Sequence, residues 1–150
     1  MSEQLAIAQQ SSPPRFLKLD AAGNQVERDH VIVRDTATGL DWLVAYASPN
    51  ELTHKAAEKA VAKLEVAGHS DWRLPTRFEL ESILDLGRFN PAINPDLFPG
   101  TKPDWHWTAS PDASAPACAW IVSFYGGLVS LFRRDNLAWV RAVRVSRASQ

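Results

Sequence analysis

The sequence predicts a single α+β domain, because its periodic segments fall in the order strands, helices, strands rather than alternating one by one. Three observations carry this. Short apolar runs bounded by turn residues lie before residue 45 and after residue 104. Between them, apolar residues recur at three- and four-residue steps behind helix-capping patterns. A proline-rich segment then separates the second helical stretch from the C-terminal strands. With 150 residues and 45% hydrophobic content, the chain is long enough to bury one core without metal or disulfide staples.

Residues 1 to 14 end in Ser11-Ser12-Pro13-Pro14, show no period, and read as a tail; the domain is expected over 15 to 147, with 148 to 150 as a second tail. Arg15 to Leu19 and His30 to Arg34 read as two N-terminal strands on either side of the Ala22-Gly23-Asn24 turn. Leu40, Trp42, Leu43 and Val44 follow as an apolar cluster. The first helix has two candidate starts, the capping-box form Ser48-Pro49-Asn50-Glu51 and Thr53. Its buried stripe is Ala57, Ala60, Val61 and Leu64, and Gly68 suits the stop after it. Thr76-Arg77-Phe78-Glu79 repeats the capping box, so a second helix buries Leu80, Ile83 and Leu84 before Gly87.

Pro91, Pro95, Pro99 and Pro103 exclude a helix or central strand from Phe89 to Pro103, which leaves a long irregular loop. Strands are predicted at Trp105 to Thr108, Ala119 to Tyr125, Leu128 to Arg133 and Trp139 to Val145, the middle two joined at Gly126-Gly127.

A net charge of -1 gives no global attraction to nucleic acid or to an anionic membrane. Five arginines after residue 132 face one acid, Asp135; pairing with acids elsewhere in the fold is the simplest use for them. Cys118 is the sole cysteine, which excludes an intrachain disulfide or a thiolate metal cluster and suits a reducing compartment. His30, His54, His69 and His106 lack ligand spacing on one helix face, so neither a metal nor another cofactor is expected. The run Leu5 to Ala8 is too short for a signal-peptide core, and no stretch approaches a membrane span, so a cytoplasmic location is expected.

Several segments occur in a family order: Val33-x-Asp35-x-x-Thr38-Gly39-Leu40-x-Trp42, then Ser70-Asp71-Trp72-Arg73-Leu74-Pro75-Thr76 with Glu79-Leu80. Asn90-Pro91-Ala92-Ile93, Trp107-Thr108-Ala109-Ser110, Ala119-Trp120-x-Val122-x-Phe124-x-x-Gly127 and Val140-Arg141-x-Val143-Arg144 follow. The chain thus resembles the family of the Legionella collagen-like protein C-terminal domain, once known only as a domain of unknown function. The resemblance implies a C-type-lectin-like fold, with two helices packed on a small twisted antiparallel sheet, termini close together and a long loop on one side. It also implies scaffold roles for Trp72, Leu74 and Thr76, and ion pairing for Arg73, Arg141 and Arg144. Relatives commonly carry a cysteine at each of the places of Val61 and Ala142; here an apolar pair is expected to touch in the core.

The Trp-Arg-Leu-Pro-Thr element also resembles that of formylglycine-generating enzymes, but their metal-binding cysteines or histidines have no counterpart, and no catalytic residues are assigned. Calcium-dependent sugar binding would need converging oxygen ligands, for which the loop offers only Asn94, Asp96 and Asp104. The resemblance therefore implies non-catalytic recognition of a protein or glycan partner by the C-terminal sheet face and loops. The alternative is a phage- or mobile-element-borne inhibitor or adaptor of a host protein complex. Strand alternation, with Trp120, Val122, Phe124, Val129 and Leu131 inward, turns Ile121 and Ser123 outward with the candidate contact residues Tyr125, Leu128, Ser130 and Phe132, beside Arg134 and Asn136. The cover of this face is expected to be a foreign partner, the proline-rich loop or a second copy of the chain.

Overall fold

The computed structural model describes residues 14 to 146, so both expected tails lie outside the described residues apart from Pro14. Among the described residues, seven strands and two helices follow in chain order: β1 (Phe16–Leu19), β2 (Ile32–Asp35), β3 (Leu40–Leu43), α1 (His54–Ala62), α2 (Arg77–Glu81), β4 (Trp105–Asp112), β5 (Ala115–Ser123), β6 (Val129–Arg133) and β7 (Val143–Val145). They form two antiparallel sheets rather than the single sheet expected: β1-β2-β3-β7 and β4-β5-β6. The molecule is mixed α and β, as the element order predicts.

The stretch expected to be one long last strand is what joins the sheets. Ala138 exchanges backbone hydrogen bonds with Leu52, and the Trp139 amide and carbonyl bond Trp105 and Trp107 of β4. The Val140 carbonyl accepts from Ala47 and the Ala142 carbonyl from Leu43 at the end of β3, and Val143 to Val145 continue the pairing along β3. Because its partners lie on both sheets in turn, this segment cannot keep one ladder.

Thr53, not Ser48, caps α1: its hydroxyl accepts from the Ala56 amide at 3.4 Å, while Ser48 closes a turn with the Asn50 amide. The helix buries His54, Ala57 and Val61. α2 has the full capping box predicted, Thr76 accepting from the Glu79 amide and Glu79 from the Thr76 amide. It is shorter than predicted, since the Leu84 amide bonds the Glu81 carbonyl in a tighter turn after Glu81. Arg73 holds the same Glu79 at 2.7 Å, so a single carboxylate ties the strand-like segment Trp72 to Leu74 to the head of α2. Burial alone would raise the Glu79 pKa; Arg73 and the Thr76 amide together outweigh it and lower the pKa.

Two buried clusters fill the molecule, and β5 feeds both. Ala119 and Ile121 join Leu43, Val61, Trp72, Trp107 and Ala142 in the first. Val122 and Phe124 join Trp42, Leu80, Ile93, Phe98 and Val143 in the second. Val61 and Ala142 are both members of the first buried cluster.

Candidate functional site

As the middle strand of its sheet, β5 has both faces covered, so its two-residue period separates two cores instead of core from solvent. This corrects the expected facing. Ile121 is fully buried and Ser123 is buried, although both were expected outward, while Leu131, expected inward, is 36% exposed. The alternation itself is right, with Val129 opposite Val122 and Leu131 opposite Trp120; what fails is the assumption that only one side is covered.

The six predicted contact residues separate accordingly. Phe132 is half-buried against Trp105 and Trp107, its ring centroid 5.8 and 6.1 Å from theirs. Arg134 is half-buried, donating to the Pro116 carbonyl and facing His54 Nδ1, each at 3.1 Å. Ser130 is exposed in mid-strand, and Asn136 is exposed in the turn after β6, its amide donating to the Arg133 carbonyl. Tyr125 and Leu128 lie at the opposite end, in the loop between β5 and β6.

There they meet two residues that the sequence pattern did not single out. The chain after α2 runs beside the hairpin tip: the Asn90 amide donates to the Tyr125 carbonyl at 2.7 Å and the Ala92 amide to the Phe124 carbonyl at 2.6 Å. Phe89 meets Tyr125 edge-on, with centroids 6.4 Å apart. Leu86 lies on the Gly127 backbone so closely that a Cβ there would come within 2.8 Å of its Cδ2. Leu86, Phe89, Tyr125 and Leu128 are 76%, 72%, 53% and 69% exposed, and together they form an apolar knob. A cleft of about 260 Å³ adjoins it through Leu86, with Leu84, Phe98 and Arg15 among its other walls.

The polar residues that could have suggested chemistry are tied into the scaffold. Asp96 pairs with Lys18, Asn94 Oδ1 accepts from the Asp96 amide, and Asp104 Oδ1 accepts from the Trp105 amide. His106 is fully buried, hydrogen-bonded to the Tyr46 hydroxyl at 2.6 Å and the Asp104 carbonyl at 2.9 Å. Burial first, and the nearby Arg141 charge second, push its pKa down to about 3. Among the described residues no group of three His, Cys, Asp or Glu side chains could hold a metal ion, and no helix is long and apolar enough to cross a membrane.

Arg144 pairs with buried Asp41 at 3.0 Å and with Asp71 at 2.6 Å, as expected. Arg141 departs from expectation: fully buried, it bonds the Leu43 and Val44 carbonyls and Thr101 Oγ1 instead of a carboxylate. Its guanidinium carbon lies 4.6 Å from the Tyr46 ring centroid and 5.1 Å from that of Phe98. Carbonyl dipoles and ring faces replace the acid, and burial lowers its pKa. These contacts fix the loop from Phe98 to Thr101 against β3.

Residues 31 to 144 match the family model described as Lcl C-terminal domain. No curated protein matches the chain.

Proposed function

Since the chain belongs to the Lcl C-terminal domain family, we propose that it is a non-catalytic recognition domain whose ligand is a protein, bound at the apolar knob of Leu86, Phe89, Tyr125 and Leu128. The observation that carries this reading is the knob itself. Four large apolar side chains, each more than half exposed, gather at one end, where two loops are held rigidly by backbone hydrogen bonds. Contiguous apolar surface of this kind marks interaction sites, and pre-ordered loops lose little entropy on binding. Two leucines among the four favour a protein over a glycan, because sugar recognition depends on hydrogen bonds that leucine cannot make.

The C-type-lectin-like fold belongs to this reading; its support is the pair of short helices on antiparallel sheets, with β1 and β7 in the same sheet. A cytoplasmic home also belongs to it, supported by the lone cysteine and the buried Val61 and Ala142 pair. Absence of catalysis is supported by the enclosure of His106, which leaves that group no access to a substrate.

Affinity capture from the source cell, quantified by mass spectrometry with and without competing free sugars, tests the reading. One protein retained at stoichiometric level and insensitive to sugar is expected. Retention that free sugar abolishes would replace the protein ligand with a glycan.

A further inference from the structure

Among the described residues, the β4-β5-β6 sheet has one open edge. The β4 edge is closed by Trp139, whose amide and carbonyl bond it, and by the Ala109 amide donating to Pro75. On β6 the register fixes which groups look outward. Ser123 donates to Leu128 and Arg134 to Ala117, so the hydrogen-bonded pairs between β5 and β6 are those that place Ser130 opposite Ile121 and Phe132 opposite Ala119. Val129, Leu131 and Arg133 therefore point their N–H and C=O away from β5. Among the described residues, the only backbone group that reaches them is the Asn136 amide, on the Arg133 carbonyl.

That edge is complementary to itself. A two-fold axis through Leu131 sets Leu131 against its own copy as a hydrogen-bonded pair, and sets Val129 against Arg133 of the second copy. No like charges face each other in this register, since Arg133 meets a valine and Leu128, one residue before the strand, meets the stem of Arg134. On the two faces, Ser130 meets Phe132 and Leu131 meets Leu131. The side chains nearest the axis are open to such contact: Leu131 is 36% exposed and Ser130 is exposed.

We propose that β6 is the contact strand of a symmetric homodimer, pairing antiparallel with β6 of a second copy to continue the three-stranded sheet into six strands. The strand has only five residues, well short of the ~800 Å² a side of a standard interface, so the dimer is weak, with a dissociation constant on the order of 100 µM. The proposal is separate from the knob: Phe89→Ser leaves the dimer intact, whereas it weakens partner capture.

Sedimentation analysis of the full chain from about 10 µM to about 1 mM tests it, a range bracketing the expected dissociation constant. The wild type should pass from monomer to dimer. Leu131→Pro removes one outward N–H and no β5–β6 hydrogen bond, a position where proline is tolerated in sheets. Leu131→Lys places two like charges across the axis on a side chain that is already partly exposed. Both variants should raise the dissociation constant at least tenfold while melting within a few degrees of the wild type. A wild type that stays monomeric throughout, or a dimer that survives Leu131→Lys, overturns the proposal.

Discussion

Acid should weaken this fold through His106 by an amount that can be worked out and isolated. In the folded state the ring is fully enclosed, burial and Arg141 hold its pKa at about 3, and it is neutral down to mild acid. In the unfolded chain it titrates near ~6.5. Between these values the unfolded state binds the extra proton, so stability is intact above about pH 6.5 and is lost as pH falls toward 3. From pH 7 to pH 5 the loss spans about 1.5 pH units below the unfolded pKa, at about 1.36 kcal/mol each, or about 2 kcal/mol from this residue. Other groups contribute their own pH dependence, so the measurement is a difference. Urea unfolding of wild type and His106→Gln at both pH values should show the wild type losing about 2 kcal/mol more than the variant. The amide can still meet the Tyr46 hydroxyl and the Asp104 carbonyl, which keeps the variant folded enough to compare. Equal losses in the two proteins would refute a ring that is buried and neutral.

Three further outcomes follow from particular contacts. Arg144→Met strips one of two guanidinium partners from Asp41, whose side chain is fully buried, and should cost about 3–5 kcal/mol by urea unfolding, far more than an exposed pair. Gly127→Ala should cost more than about 1 kcal/mol, because φ there is +92° and the new Cβ would press on Leu86; calorimetry reads it directly. Phe132→Ser should lower the melting temperature by several degrees through lost packing on Trp105 and Trp107, whereas Tyr125→Ser, at an exposed tip, should change it little.

Local signals in the sequence locate what local chemistry decides. The Thr53 and Thr76 caps, the proline-rich loop and β6 stand where their residues indicate, whereas β4 runs on to Asp112 and β5 begins at Ala115 and ends at Ser123, because the two pair with each other beyond their apolar runs. What the sequence could not reveal is tertiary. All four residues of β3 are buried, Asp41 among them through its pairs with Arg34 and Arg144, so the Leu-Asp-Trp alternation of the sequence does not mark one face as exposed. In β5 the alternation is visible, but whether one face or two is covered depends on the second sheet and on α1. The same cause hides the knob: Leu86 and Phe89 are isolated apolar residues in a loop, and only the hydrogen bonds from Asn90 and Ala92 to the hairpin bring them beside Tyr125. Arg141 misleads because arginine buried with carbonyls and rings has the same spelling as arginine buried with an acid.

The central claim is that the knob is the recognition surface, and one comparison tests it most directly: quantitative capture with wild type against a Phe89→Ser and Tyr125→Ser double variant, each checked by melting. These two rings touch each other and are mostly outside the core, so the variant should melt within a few degrees of the wild type. The account predicts that the stoichiometric partner retained by the wild type is lost from the variant at unchanged melting. Equal retention of that partner by both proteins would contradict it.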